Sequence, residues 1–145
     1  MNWRSEAEDK LKKYELIKNA VAGMQEEIKM LEDNAMRIRA ASTDATPVQG
    51  GGSAREDMLL DNIVRREELK WKLEDAKKRV KRVEDGLALL SDDERLVLYR
   101  LCMHPMRGNV ERLREELCLQ DDRSVYKRRD KALNKFTIAI YGAVV

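Results

Sequence analysis

The sequence predicts an all-α protein in which a long antiparallel helical hairpin, similar to a coiled coil, precedes a three-helix helix-turn-helix domain. Two long segments carry apolar residues at alternating spacings of three and four, which is the heptad pattern of packed helices. Helix-start signals then recur near the C-terminus. The predicted parts are a first arm helix at 1–41, a flexible Gly-rich linker at 42–53, a second arm helix at 54–90 and the helix-turn-helix domain at 91–145.

Charge is abundant but nearly balanced, with 29 basic and 27 acidic residues and a net charge of +2. A protein that coats nucleic acid without specificity is strongly cationic, so any DNA contact here must be local. The 39% of charged residues and the 5% of aromatic residues argue against one large globular core and favour long charged helices. No apolar run is long enough to span a bilayer, so we expect a cytoplasmic protein without membrane contact.

The first arm helix carries its apolar residues in one seam. Trp3 and Ala7 begin the pattern and Lys10 interrupts it. The positions that continue the seam are Tyr14, Ile17, Val21, Met24, Ile28, Leu31, Ala35 and Ile38. Charged residues dominate the intervening positions, so the rest of the helix is solvated. The linker sequence STDATPVQGGGS contains Pro47 and three consecutive glycines, a composition that predicts a flexible connection.

A second seam follows the linker, and its positions are Leu59, Ile63, Leu69, Leu73, Ala76, Val80, Val83, Leu87 and Leu90. Because the linker is short compared with either helix, we expect the second helix to fold back on the first. Whether the seams meet within one chain or between chains stays open. The residues predicted to serve oligomerisation are Tyr14, Ile17, Val21, Met24, Ile28, Leu31, Leu69, Leu73, Val80 and Val83.

Three further apolar residues of the second arm helix, Leu60, Val64 and Trp71, lie off this seam. Their extra apolar surface suggests a further partner, for which a second copy of the chain is one candidate. We interpret the arm as a structural stalk or dimerisation element, with docking of another protein as the alternative. A homodimer or a higher homo-oligomer is the expected assembly.

The C-terminal domain contains three short helices, each preceded by a residue that can cap it. Ser91 stands at capping-box spacing from Glu94, and Pro105 with Gly108 ends this first helix shortly after Met103. The caps predicted for the second and third helices are Asn109 and either Asp121 or Asp122. The residues expected to form the core are Leu96, Val97, Leu98, Leu101, Cys102, Val110, Leu113, Leu117, Val125, Ala132, Leu133 and Phe136.

The third helix is the predicted DNA-recognition helix, because its basic residues outnumber its one internal acid, Asp130. These basic residues are Arg123, Lys127, Arg128, Arg129, Lys131 and Lys135. In a helix-turn-helix the first residues of the last helix meet base edges, which here are Arg123, Ser124, Tyr126 and Lys127. The residues better placed for phosphates are Arg128, Lys131 and Lys135. The alternative is that these are ordinary solvated helix charges.

The segments LSDDERLVLYRL, NVERLREEL and SVYKRRDKALNKF together resemble region 4, the C-terminal helix-turn-helix of bacterial sigma factors. Over nearly the whole chain, including AREDMLLDNIVRREEL and the terminal FTIAIYG, the sequence is similar to the ArpU/RinA-like transcriptional regulators of phages and prophages. The resemblance implies sequence-specific control of phage genes in a bacterial host cell, through double-stranded DNA.

On that resemblance, the residues matching exposed positions of the region 4 recognition helix are Arg123, Ser124, Tyr126, Lys127 and Lys131. Arg128 departs from the pattern, because region 4 helices commonly place an apolar residue there. Helices like those that melt promoters or bind core polymerase in a complete sigma factor are missing from the sequence, so we do not expect the chain to replace one. Two alternatives stay open: a small-terminase-like DNA-packaging protein, and a protein that binds host RNA polymerase or a sigma factor without DNA specificity of its own.

The cysteines and the single histidine do not form a recognisable reactive site. Cys102 and Cys118 fall on predicted apolar helix faces, which favours reduced, buried thiols over a disulfide. His104 is the only histidine, and one histidine with two separated cysteines does not make a zinc site. We therefore predict no enzymatic activity, no catalytic residues, no metal and no cofactor.

Overall fold

The computed structural model of the chain describes residues 2–44 and 51–143. This part of the protein is 88% helical and contains no strand, which confirms the predicted all-α class. The elements in chain order are α1 (Trp3–Asp44), α2 (Gly51–Ala88), α3 (Asp92–Leu98), a π-helix (Tyr99–Met103), α4 (Asn109–Glu116) and α5 (Asp122–Tyr141). The long helices α1 and α2 form a hairpin, as predicted.

The helices α1 and α2 both extend into the segment predicted as a flexible linker. The helix α1 continues through Asp44, and α2 begins at Gly51. The centre of the predicted linker, residues 45–50, lies outside the described residues.

The chain divides into two compact units. The head unit comprises Met1–Ile17 and Arg79–Val145, and the arm unit comprises Lys18–Lys78. The head unit therefore contains more than the predicted helix-turn-helix domain at 91–145, because the first turns of α1 and the last turns of α2 pack with that domain.

The arm unit is held together by the predicted seam. Its buried apolar residues are Ile28, Leu31, Ala35, Leu73 and Ala76. The prediction that Ile63 belongs to the seam is wrong, because its side chain is 39% exposed. Asn62 is buried in its place and donates a hydrogen bond from Nδ2 to the carbonyl oxygen of Leu31, at 2.8 Å. Arg66 in turn donates from Nε to Oδ1 of Asn62 at 2.7 Å, so the amide is satisfied at both ends.

The core of the head unit joins residues that lie far apart in the sequence. Phe136 of α5 is fully buried in a cluster with Ala7 and Leu11 of α1 and Val83 of α2. The seam of α1 thus continues through Leu11, one residue beyond the predicted interruption at Lys10. Because α5 is packed against both long helices, its orientation depends on them as well as on α3 and α4.

Ser91 caps α3 as predicted, in a complete capping box with Glu94. Burial raises the pKa of Glu94, but hydrogen bonds from Ser91 and the charge of Lys135 outweigh it and lower the pKa. The contribution of this carboxylate to stability is therefore present above its ordinary pKa and is lost as the pH falls through the lowered value.

The helix α3 passes into the π-helix without a break, and the helical run ends after Met103 as predicted. The prediction that Asn109 caps α4 is wrong, because Asn109 is the first helical residue and Gly108 stands at the cap with a φ of 84°. Asn109 is buried, and its Nδ2 donates to the carbonyl oxygen of Arg100 at 2.7 Å. Its side chain therefore satisfies the end of the π-helix instead of the start of α4. The prediction of three short helices is also wrong for α5, which has 20 residues.

Candidate nucleic-acid interface

The helices α4 and α5 are joined by a tight turn that begins with a Schellman motif. The amide of Leu119 donates to the carbonyl oxygen of Arg114 at 2.9 Å. The amide of Cys118 donates to the carbonyl oxygen of Glu115 at 3.3 Å. This motif requires a left-handed residue, and Cys118 takes that conformation with a φ of 54°. The prediction that Cys118 is buried is wrong, because it lies beyond the end of α4, where the apolar periodicity of the helix no longer applies.

Replacing Cys118 by glycine should stabilise the protein by about 1 kcal/mol, because a side chain with a Cβ is strained in the left-handed region and glycine is not. Urea unfolding followed by circular dichroism measures this change. Cys118→Ala is the matched control, since it removes the thiol and keeps the strain, and it should stay within about 0.5 kcal/mol of wild type. An equal gain in both variants would show that the thiol, not the backbone, is the source.

Asp121 caps α5 as predicted. Its Oδ1 accepts two hydrogen bonds from Ser124, one from the amide at 2.8 Å and one from the hydroxyl at 2.6 Å. These hydrogen bonds from Ser124, aided by the charges of Lys127 and Arg123, lower the pKa of Asp121. The cap therefore stays ionised at neutral pH. The hydroxyl proton of Ser124 is committed to the cap, which leaves only its oxygen as an acceptor toward an outside group.

The angle between α4 and α5 is fixed by a small core and by an ion pair. Val97, Leu113 and Val125 form a cluster in which each side chain is at most 1% exposed. Arg114 of α4 pairs with Asp122 of α5 across the turn, with 3.2 Å between Nη1 and Oδ1. The first turn of α5 is therefore held by packing on one side and by charge at its end.

The opposite side of α5 presents a row of cations. Arg123, Lys127 and Lys131 follow one another at a spacing of four and are all exposed. They lie away from Val125 and Leu133, which are fully buried. Since residues four apart share a helix face, the three charges form one continuous strip. None of the three takes part in an ion pair with the described acids.

The other residues predicted to contact DNA are placed less uniformly. Tyr126 is 49% exposed near the start of α5. Arg128 is exposed. Lys135 is exposed too, but its Nζ lies 3.1 Å from Oε2 of Glu94. Ser124 is half-buried beneath the cap.

Arg129, which the sequence grouped with the basic residues of this helix, points to the interior of the head unit. Its Nη2 lies 2.8 Å from Oε1 of Glu8 on α1. Burial lowers the pKa of Arg129, but its contacts with Cys102 and Glu8 outweigh this and raise it. Burial also raises the pKa of the Cys102 thiol, which therefore stays protonated beside the guanidinium. Arg129 thus fastens α5 to α1 and is not part of the exposed strip.

The acid of α5 that interrupts the basic surface, Asp130, is paired with Arg4 from the first turn of α1. The sequence offered no sign of this contact, because the two residues are 126 positions apart. The ion pair offsets the negative charge of Asp130 beside the strip. The start of α1 therefore contributes to the electrostatics around the exposed basic strip of α5.

All ten residues predicted to serve oligomerisation are buried or half-buried in the single chain. Tyr14, for example, donates its hydroxyl hydrogen bond to Oε1 of Glu84 at 2.6 Å, which joins α1 to α2. The hairpin of one chain covers these residues, so they are not exposed for pairing with another copy in this arrangement.

An open cavity of about 270 Å³ lies beside the first turns of α5, and its lining includes Met106, Val110 and Tyr126. The described residues contain no group of three His, Cys, Asp or Glu side chains that could hold a metal ion. In the same part of the chain, no helix is both long and apolar enough to cross a membrane.

The fold places the chain in the class of all-α proteins. Comparison with protein families, with curated proteins and with solved structures gives no match to this chain.

Proposed function

We propose that this chain is a sequence-specific DNA-binding protein that regulates transcription and reads the major groove with the start of α5. The observation that carries the proposal is the exposed strip of Arg123, Lys127 and Lys131 on a helix whose first turn is anchored to a tight helix-helix turn. A cationic face on a helix held in this way matches the geometry with which helix-turn-helix proteins enter DNA.

Position along α5 divides the roles. Arg123, Tyr126 and Lys127 lie in the first two turns, where side chains reach base edges, and an arginine there can contact guanine through both O6 and N7. Arg128 and Lys131 follow and are assigned to phosphates, which set register without carrying sequence information. Ser124 acts through the cap, and we infer no direct base contact for its hydroxyl hydrogen.

Two ion pairs set the net charge that DNA would meet. Arg4 neutralises Asp130, which removes one negative charge beside the strip, while the ionised Asp121 remains at the start of the helix. Lys135 contributes to a phosphate only by leaving Glu94, with which it pairs in the free protein. Lys135 is therefore the weakest of the predicted DNA contacts.

Control of phage or prophage genes rests on the sequence resemblance alone, and it is the part of the proposal that identifies the biological setting. The expected homo-oligomer stays a prediction, and within the single chain the residues predicted to serve it are buried or half-buried. DNA reading by α5 does not depend on an oligomer, although two copies would read two half-sites and raise specificity.

The test is fluorescence anisotropy with duplexes from the neighbouring genomic region, titrated across a salt series. Arg123→Ala/Lys127→Ala should weaken binding to the preferred duplex by about 2–6 kcal/mol, which is at least about thirtyfold in Kd. The preference among duplexes should relax in the same variant. Removing a residue assigned to a phosphate, as in Lys131→Ala, should instead reduce the slope of log affinity against log salt by about 0.9.

Lys29→Ala/Lys72→Ala is the matched control, because it removes two exposed cations from the arm unit. It should keep the sequence preference. Equal losses in both variants would mean that only overall charge matters, and α5 would not be the reading helix. Absence of any salt-sensitive DNA affinity would favour a protein that binds RNA polymerase or a sigma factor, and a ring of many subunits would favour a small-terminase-like protein.

A further inference from the structure

The arm portion of α2 has a second apolar face on the side opposite the hairpin seam. Leu60, Val64 and Trp71 are 60%, 54% and 71% exposed. At about 100° of rotation per residue, they lie roughly 180° from the seam residues Leu69, which is half-buried, and Leu73, which is buried. A tryptophan with most of its surface in water is unusual, since aromatic residues gain the most from burial.

Charge is segregated between the same two sides. On the half of the helix that carries Leu60, Val64 and Trp71, which we call the acidic back face, every charged residue between positions 56 and 75 is an acid. These acids are Glu56, Asp57, Asp61, Glu67, Glu68, Glu74 and Asp75. The basic residues of the interval are Arg65 and Arg66 on the seam-facing half, and the exposed Lys70 and Lys72 at its border with the acidic back face. Ile63, which is exposed, also falls on the acidic back face.

This distribution decides which occupants the face can take. Repulsion between phosphates and the carboxylates of the acidic back face disfavours DNA. A second copy that docked through the same apolar residues would set acids against acids, which like-charge repulsion disfavours. A helix with an apolar stripe flanked by Lys or Arg, in contrast, would bury the exposed apolar side chains and pair with the acidic rim.

We propose that the acidic back face of α2 is the docking site for a basic amphipathic helix of another protein. Positions 60, 64, 67 and 71 are spaced by four, three and four, so the face has the heptad spacing of a coiled-coil seam. The partner therefore carries apolar residues at its a and d positions and cations at its e and g positions. Trp71 is the anchor, because large buried aromatics dominate such contacts. The partner contacts α2 on the side away from α1, so the hairpin stays closed.

The fluorescence of Trp71 can report on this site directly. The full chain carrying Trp3→Phe retains Trp71 as its one tryptophan. The probes are two synthetic three-heptad peptides with Leu at a and d, one with Lys and one with Glu at e and g. The Lys-flanked peptide should shift the Trp71 emission to the blue in a saturable manner, and the Glu-flanked peptide should bind at least about tenfold more weakly.

Charge reversal locates the contact. Around the helix axis, Glu67 and Glu68 lie on opposite sides of Trp71. Glu67→Lys/Glu68→Lys should therefore weaken binding of the Lys-flanked peptide at least about tenfold and strengthen binding of the Glu-flanked peptide. The control Glu26→Lys/Glu27→Lys makes the same charge change at exposed positions of α1 and should bind like the parent. Equal binding of both peptides, or an equal loss in the control, would overturn the proposal. A blue shift that grows with protein concentration alone would also overturn it, because a second copy would then be the occupant.

Discussion

Phe136→Ala should lower the free energy of unfolding by about 3–5 kcal/mol, the largest change that we expect from a single substitution in this chain. Phe136 is fully buried in a cluster to which Ala7, Leu11 and Val83 contribute from the two long helices. Removing the ring leaves a cavity between three helices that cannot all move inward, so the loss includes both burial and packing. Small proteins have only about 5–15 kcal/mol of stability in total, so this loss is a large fraction of it.

Thermal unfolding of the head unit measures this effect. Trp3 lies against Tyr141, with 4.8 Å between the ring centroids, so its emission reports on the head unit in a Trp71→Phe background. The midpoint should fall by about 6–20 °C. Ile138→Ala is the control on the same helix, where the side chain is 50% exposed, and it should change the midpoint little. Equal midpoints for wild type and Phe136→Ala would mean that α5 does not pack against the long helices.

The features that the sequence predicted correctly are those with local causes. The capping box at Ser91 and Glu94 depends on four consecutive residues, and the cap at Asp121 depends on its own first turn. The seam depends on a repeat that persists over many turns, so one wrong position does not destroy it. Such features are visible without any knowledge of how distant segments pack.

Polar residues in the seam were missed because the prediction followed apolar residues only. The spacing 59, 62, 66, 69 continues the alternation of three and four without interruption, and it places Asn62 and Arg66 in the seam. The prediction assigned Ile63 to the seam because its side chain is apolar, although position 63 breaks that alternation. A buried Asn at a seam position costs stability but favours one register, because only one alignment satisfies its amide. The periodicity alone could therefore have located Asn62.

The contacts between α1 and the basic residues of α5 could not be predicted from the sequence. Arg4 meets Asp130, and Glu8 meets Arg129, through packing of α1 on α5 across more than a hundred residues. Nothing in the neighbourhood of either charge in the sequence indicates its partner. The same packing separates Arg129 from Arg128 and Lys131, so a count of basic residues in α5 overstates the charge that faces outward. The exposed strip contains three of the six basic residues of α5, and these three share one helix face.

Gly86→Ala should destabilise the protein, although the same exchange in the middle of a helix ordinarily stabilises it by about 1 kcal/mol. A Cβ at position 86 would lie 2.9 Å from Cε2 of Phe136 and 3.2 Å from Cγ1 of Ile140. Phe136 is fully buried, so its ring cannot turn aside without disturbing the cluster around it. The strain of overpacking should exceed the helix-propensity gain, and we expect a net loss of about 1–2 kcal/mol in urea unfolding.

Gly23→Ala supplies the matched control, because a Cβ at position 23 of α1 would meet nothing within 4 Å. This variant should be more stable than wild type by about 0.5–1 kcal/mol, so the same substitution has opposite signs at the two positions. Gly86→Ala/Phe136→Leu should lose less than the sum of its two single variants, since the smaller side chain leaves room for the new methyl group. Additive losses, or a gain for Gly86→Ala alone, would mean that α2 and α5 do not approach closely at Gly86. Because α5 approaches α2 closely beside its apolar repeat, Phe136 and Ile140 occupy the space that a side chain at position 86 would take.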